Sequence, residues 1–418
     1  MIMALYRLYP PSEAEMRIRL RRHGRTRRPQ PYENLFQVTP TTVKRDSFLM
    51  LLSMLFLTYW IICWISIPTR ASFGYLFAFI SMLTCVLGSS FFVLIQHAVR
   101  AGWSVIARRS AEFIMETVSL FAILFLLVVI NMKDLYIWTD PSCNFELASI
   151  GMFYLNNVFW IIRGIGYFLV WIISSKYICQ KSFNQDQAKN DSLSITMQKA
   201  SYIFLLLYAY TTSFASFDWV MSLQPHWFSS IFGIYFFATC FLTGLASICF
   251  IFLLTRVPSN TNHMYDFGKL LFGFTIFWTY IAFSQFMLIW YSDLPEEIGF
   301  YTTRSNTEEW WRMSFYLIFF NFIVPFFFLI RKDNKWHYGP IFFMSMWTLF
   351  FQFIHIYWLI MPILGEEKWW YSLDCDFSAM MIVMALFIRK IIRSCRKYEL
   401  YPKNDPFLEE SLKCEKIH

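Results

Sequence analysis

Ten apolar stretches, each long enough to cross a bilayer, leave this chain few folds to choose from. They cover residues 47–67, 73–97, 111–131, 151–174, 196–217, 228–255, 267–291, 310–330, 338–361 and 375–394. A helix needs about 20 apolar residues to cross about 30 Å of hydrocarbon. Lipid offers no partner to a backbone amide, so each stretch is expected to be helical. The predicted fold is an all-α integral membrane protein of about ten transmembrane helices. Residues 1–46 form a basic tail before it and residues 395–418 a tail after it.

Charge sets the expected orientation. With residues 1–46 in the cytoplasm, 28 of the 36 Lys and Arg fall in the segments on that side. Only Arg70, Lys133, Arg304 and Lys368 fall on the other, and Arg163, Lys199, Lys269 and Arg312 lie in spans. This is the positive-inside pattern, and an odd number of spans would scramble it. Both tails are therefore expected in the cytoplasm. The net charge of +8 is used up by this asymmetry and does not point to nucleic acid. The basic tail lacks the apolar region of a signal peptide and reads as a cytoplasmic segment able to touch anionic lipid.

The outer loops are acidic, with Asp293, Glu296, Glu297, Glu308 and Glu309 in one and Glu366, Glu367 and Asp374 in another. They read as a solvated rim or as a docking face for an external partner. The nine cysteines contain no C-x-x-C, which removes the local signatures of c-type haem attachment and thioredoxin-like chemistry. Cys143 and Cys375, the two on the outer side, could bridge in an oxidising compartment.

Polar groups inside the membrane are the candidate site. A central Arg163 costs at least about 2.5–3.5 kcal/mol to insert and should have a partner. Glu112 and Glu116 lie four apart, on one helix face. Depth favours Glu116 as the partner of Arg163, either as an ion pair that fixes packing or as part of a proton route. Asp218, His226 and His355 form a second group at the outer edge, a mix suited to quinol oxidation with proton release, or to interface capping. No paired histidines stand at matched depth for a bis-His haem, and no cysteine cluster suits an iron–sulfur centre. No cofactor is expected on this chain beyond quinone or quinol at an interface.

Four runs carry a family resemblance. They are F-A-S-F-D-W-V-M-S-L-Q-P-H-W-F-S-S-I-F-G at 214–233, D-F-G-K-L-L-F-G-F-T-I-F-W-T-Y-I-A-F-S-Q-F-M-L-I-W-Y-S-D-L-P-E-E at 266–297, A-G-W-S-V-I-A-R-R-S-A-E at 101–112 and Y-W-L-I-M-P at 357–362. Together they resemble the ActF-type membrane subunit of alternative complex III, a bacterial quinol:electron-acceptor oxidoreductase. That family is in turn similar to the NrfD and polysulfide-reductase membrane subunits. The resemblance implies two four-helix bundles, helices 2–5 and 6–9, flanked by helices 1 and 10. It implies a place in the bacterial inner membrane beside an NrfD-like sister subunit. Periplasmic multihaem cytochrome and iron–sulfur subunits would carry the electrons, and a terminal oxidase could follow. The matched polar positions are His97, Arg108, Arg109, Glu112, Asp218, His226, Asp266, Lys269 and Gln285. Two other classes stay open: a quinol-docking subunit of a polysulfide- or nitrite-reductase-type enzyme, and a secondary transporter. The single proline well inside a span, Pro325, weighs against the transporter, whose helices are often broken at the midplane.

Overall fold

The computed structural model describes residues 40–140, 154–187, 192–255, 257, 259, 261–365 and 372–413. Over these residues the chain is all-helical. The long helices are α1 (Pro40–Ser66), α2 (Pro68–Ala98), α3 (Val105–Met115), α4 (Val118–Ile130), α5 (Asn157–Gln185), α6 (Ser192–Trp219), α7 (Phe232–Thr255) and α8 (Thr261–Ser292). There follow α9 (Pro295–Thr303), α10 (Glu308–Ile318), α11 (Val324–Ile330), α12 (Tyr338–Ile360), α13 (Leu373–Lys397) and the short α14 (Leu408–Lys413). Nine spans among the described residues are long and apolar enough to cross a membrane, α3–α4 and α10–α11 each counting as one. The protein is a multi-pass membrane protein. α13, read from the sequence as a tenth span, has 25 residues but carries Asp374 and Asp376 at one end and Arg389, Lys390 and Arg393 toward the other, too many charges to stand with the nine.

Local chemistry explains the breaks. Pro68 opens α2 after Ile67, so α1 and α2 turn sharply. Asn156 caps α5, its Oδ1 accepting from the amides of Val158 and Phe159. α10 and α11 are joined by a π-helical turn, Phe319–Ile323, directly before Pro325. Proline has no N–H and its ring crowds the carbonyl four residues back. The wider turn relieves that crowding, and the Trp347 indole donates to the freed Phe320 carbonyl at 2.8 Å.

The core is a pair of helices. α2 is buried over 94% of its most apolar stretch and α7 over 78%, whereas α1 is buried over only 11%. α2 and α7 cross at two glycines. A Cβ on Gly88 would stand 1.8 Å from the Cys240 carbonyl oxygen, and one on Gly244 would stand 2.4 Å from the Gly88 carbonyl carbon. Only small residues let two helix backbones approach this closely in lipid. Around this pair, α2 packs on α3, α4, α6 and α13, while α7 packs on α6, α8 and α12. α1 covers α13 and presents Phe48, Leu51, Leu55, Ile62 and Ile65 outward as a lipid-facing surface. Gly88→Ala should destabilise the extracted protein by about 1–3 kcal/mol, the usual effect of overpacking. Gly166→Ala, whose new methyl would meet nothing within 4 Å, should leave the melting temperature within a degree or two of the parent.

Residues 398–413 do not extend away as a tail. They fold back over the end of the bundle that carries the 99–104 and 186–187 segments, hereafter the basic end. Tyr398 stacks on Phe183 at 3.8 Å, Asn404 donates to the Asp186 carbonyl at 2.7 Å, and Ser411 donates to the Trp103 carbonyl at 2.9 Å. The opposite end, with α9 and the 361–365 turn that follows α12, is the acidic end. The basic segment 1–39, Glu366, Glu367 and Cys143 lie outside the described residues. The proposed Cys143–Cys375 bridge therefore falls there too, and Cys375 is buried with a free thiol.

Candidate functional site

Three buried polar clusters are built from the helices just described, and the first centres on Glu112. α3 places Arg108 and Arg109 one turn before Glu112, so both guanidinium groups bend back to one carboxylate. Arg108 Nε stands 3.5 Å from Oε1 and Arg109 Nε 3.4 Å from Oε2. The Ser182 hydroxyl of α5 is shared between both oxygens at 2.9 and 2.8 Å. Each arginine has a second acid. Arg109 Nη2 donates to both Asp186 oxygens at 3.0 and 2.8 Å, and Arg108 Nη2 donates to Asp405 of the folded-back segment. Glu112 and Arg109 are fully buried, and Arg108 and His97 nearly so. Buried ions of this kind persist only when paired and hydrogen-bonded. Burial pushes the Asp186 carboxyl up to about 6 against the pull of the Arg109 charge, and the Lys403 amide donates to it at 3.2 Å. His97 Nε2 stands 3.9 Å from Glu112, beyond hydrogen-bond reach.

The second cluster overturns the expected pairing of Arg163 with Glu116. Arg163 instead makes a fork with Asp218, Nε to Oδ2 at 2.8 Å and Nη2 to Oδ1 at 2.7 Å. Its Nη1 donates to the Tyr154 carbonyl at 2.9 Å, and its guanidinium lies 3.9 Å from the Tyr154 ring centre and 4.4 Å from that of Phe159. Tyr167 adds a hydroxyl to Asp218 Oδ2 at 2.6 Å. The Trp160 indole and the Ser222 hydroxyl donate to the Asp218 carbonyl, capping the end of α6. Arg163 does not sit at the depth that a span over 151–174 implies. The helix in fact runs Asn157–Gln185, which puts Arg163 within two turns of its acidic end. Glu116 is held from elsewhere. The Ser394 hydroxyl of α13 donates to its Oε2 at 2.6 Å, and Lys390 Nζ stands 4.0 Å from Oε1. Because Glu116 is partly exposed, Glu116→Ala should cost no more than about 1 kcal/mol and leave Arg163 undisturbed, read as an unchanged yield of monodisperse protein.

The third cluster, at the acidic end of α7, α8 and α12, contains His355. Its Nε2 meets the Tyr235 hydroxyl, and its ring lies edge-on to Trp278 with centroids 5.0 Å apart. Arg304 is fully buried nearby and caps α12, donating to the carbonyls of Trp358 at 3.2 Å and Leu359 at 2.5 Å, and to that of Phe300 at 2.7 Å. A cation at a helix C-terminus is favoured by the aligned backbone dipoles. Burial pulls Arg304 down to about 9, so it remains charged at neutral pH. Gln285, one of the matched positions, is buried beside Tyr301.

The expected grouping of Asp218, His226 and His355 is not formed as one relay. Asp218 is taken up by Arg163 and Tyr167, His355 by Tyr235, and His226 is exposed. Lys269 is also exposed, its ammonium 4.2 Å from the Tyr265 ring centre. Sequence reasoning missed Ser182, Asp186 and Asp405 around Glu112, and the Arg70–Asp376 pair at 2.5 Å that ties α2 to α13. Asp186 and Asp405 looked like ordinary loop acids, and nothing local marks either as an arginine partner.

Among the described residues no group of three or more His, Cys, Asp or Glu stands close enough to hold a metal ion. No protein-family model matches the sequence, and a search of curated proteins finds no significant match.

Proposed function

We propose that this chain is an ActF-type membrane subunit of a bacterial respiratory quinol:electron-acceptor oxidoreductase, set in the inner membrane with both ends cytoplasmic. In this reading it has ten spans in two four-helix groups flanked by α1 and α13. An NrfD-like sister subunit lies beside it, and partner subunits bearing haem and iron–sulfur centres supply electron transfer. Its own part is to support the quinone-proximal face and to hold polar groups for proton movement. One observation carries the reading. Six of the motif residues that mark the resemblance build buried clusters, Arg108, Arg109 and Glu112 at the basic end and Asp218, Trp219 and Ser222 at the other, while His226 and Lys269 are exposed. Those runs are therefore structural signatures rather than accidents of an apolar composition.

The transporter reading expects broken helices with backbone left open for a substrate. The two breaks here are tied off. Glu116, at the α3–α4 break, is held by Ser394, and the Phe320 carbonyl by Trp347.

The test is purification of the tagged chain from its native membranes. Haem absorption bands and quinol oxidation should travel with it. A chain that purifies alone and stably, without haem, would defeat the proposal. In the same preparation, His226→Ala should leave assembly intact, since the side chain is exposed, and should slow quinol oxidation if the acidic end faces the redox partners.

A further inference from the structure

At the basic end, a cleft of about 180 Å³ lies between the end of α2, the start of α6 and the folded-back segment. Its polar wall is Gln96, His97, Arg100, Arg108, Ser194 and Asp405. Ile195, Pro406 and Phe407 form an apolar lip. Two features of this wall ask for an occupant. Gln96 and His97 are more than nine-tenths buried; His97 Nε2 faces Glu112 at 3.9 Å, whereas Gln96 Oε1 has no hydrogen-bond partner. Buried polar atoms are normally satisfied. Arg100 sits at φ 50°, at the turn that closes α2, where the Ala101 amide reaches the Gln96 carbonyl and the Arg100 amide that of His97. Glycine is the usual residue in this left-handed position, because a Cβ there is strained. The arginine is exposed and held by one side-chain hydrogen bond, Nε to Gln198 Oε1 at 2.6 Å.

The charge balance specifies the ligand. Arg108 is committed to Glu112 and Asp405, which neutralise it. That leaves Arg100 as the cation without a carboxylate, on a wall shared with the first turn of α6, whose backbone dipoles favour an anion. The cleft opens where apolar helices end, so a ligand with an anionic head and an apolar body fits both the cation and the lip. We propose that this cleft binds one phosphate-bearing anion, and specifically the headgroup of an anionic phospholipid. The phosphate would lie on Arg100, with a hydroxyl of the headgroup donating to Gln96 Oε1 and the glyceryl portion against Ile195 and Phe407. This site is independent of which complex the chain belongs to.

The purified full-length protein is placed in phosphatidylcholine discs containing a minority of phosphatidylglycerol, and bound lipid is counted by native mass spectrometry. One phosphatidylglycerol should be retained in preference to phosphatidylcholine. Arg100→Gly relieves the backbone while removing the cation, so it should fold as well as the parent and lose about tenfold in that retention, the loss of one charge-assisted contact. Arg100→Lys should keep most of it. A parallel arm adds inorganic phosphate to pure phosphatidylcholine discs and reads the melting temperature. Unchanged retention in Arg100→Gly overturns the site. Equal loss in both variants shows that packing rather than charge holds the lipid, and overturns it too. Stabilisation by inorganic phosphate with no retained phosphatidylglycerol overturns the lipid assignment.

Discussion

Asp218→Ala should remove most of the folded protein from detergent extracts, because it strands Arg163 inside the bundle. Breaking a buried ion pair by deleting one partner costs about 3–5 kcal/mol, since the remaining charge stays desolvated. Here the stranded group also loses its fork, and Tyr167 loses its acceptor. The measurement is the yield of monodisperse protein by size-exclusion chromatography. Asp218→Asn, which keeps an acceptor of the same shape, should fall between Ala and the parent. Arg163→Met combined with Asp218→Ala should recover much of the loss, because no lone ion is then buried. Full yield of the single Asp218→Ala variant would mean that Arg163 finds water and that the pair does not hold α5 to α6.

Glu112→Ala should be comparably harmful at the other end. Glu112 is the only acid that both Arg108 and Arg109 share, and Ser182 donates to it alone among the described contacts. Each arginine keeps one further carboxylate, Asp405 or Asp186, so the expected loss sits toward the lower part of the same range, about 3 kcal/mol. Thermal unfolding followed by tryptophan fluorescence would read it. Glu112→Gln should recover part of the stability by restoring an acceptor for Ser182. A melting point unchanged in Glu112→Ala would show that the two outer acids suffice.

Much of this fold was legible in the chain because lipid makes a blunt demand. A run of about 20 apolar residues must be a helix. The boundaries were less so: the spans read as beginning at 73 and 151 begin at Pro68 and, after the Asn156 cap, at Asn157. The pairing of Arg163 was not legible, because α5 begins about two turns later and ends about three turns later than the span 151–174, which changes which carboxylate is level with it. The ring around Glu112 was half legible. Arg108, Arg109 and Glu112 fall on one helix face by spacing alone. Asp186 and Asp405 arrive from segments 77 and 297 residues away from their arginines, and only tertiary folding brings them in. The crossing of α2 and α7 was hidden as well. Gly88 and Gly244 carry no mark that says which helix each will meet.

Asp405 follows every membrane helix along the chain, and that ordering has a consequence for biogenesis. When α3 first enters the bilayer, Arg108 has only Glu112 to neutralise it, and Arg109 waits for the end of α5. The last partner, Asp405, arrives only once α13 has been made and the peptide doubles back. A chain stalled before that point would hold Arg108 and Arg109 on Glu112 and Asp186 alone, with the end of the bundle still uncovered, a feature by which quality control could tell an unfinished molecule from a finished one.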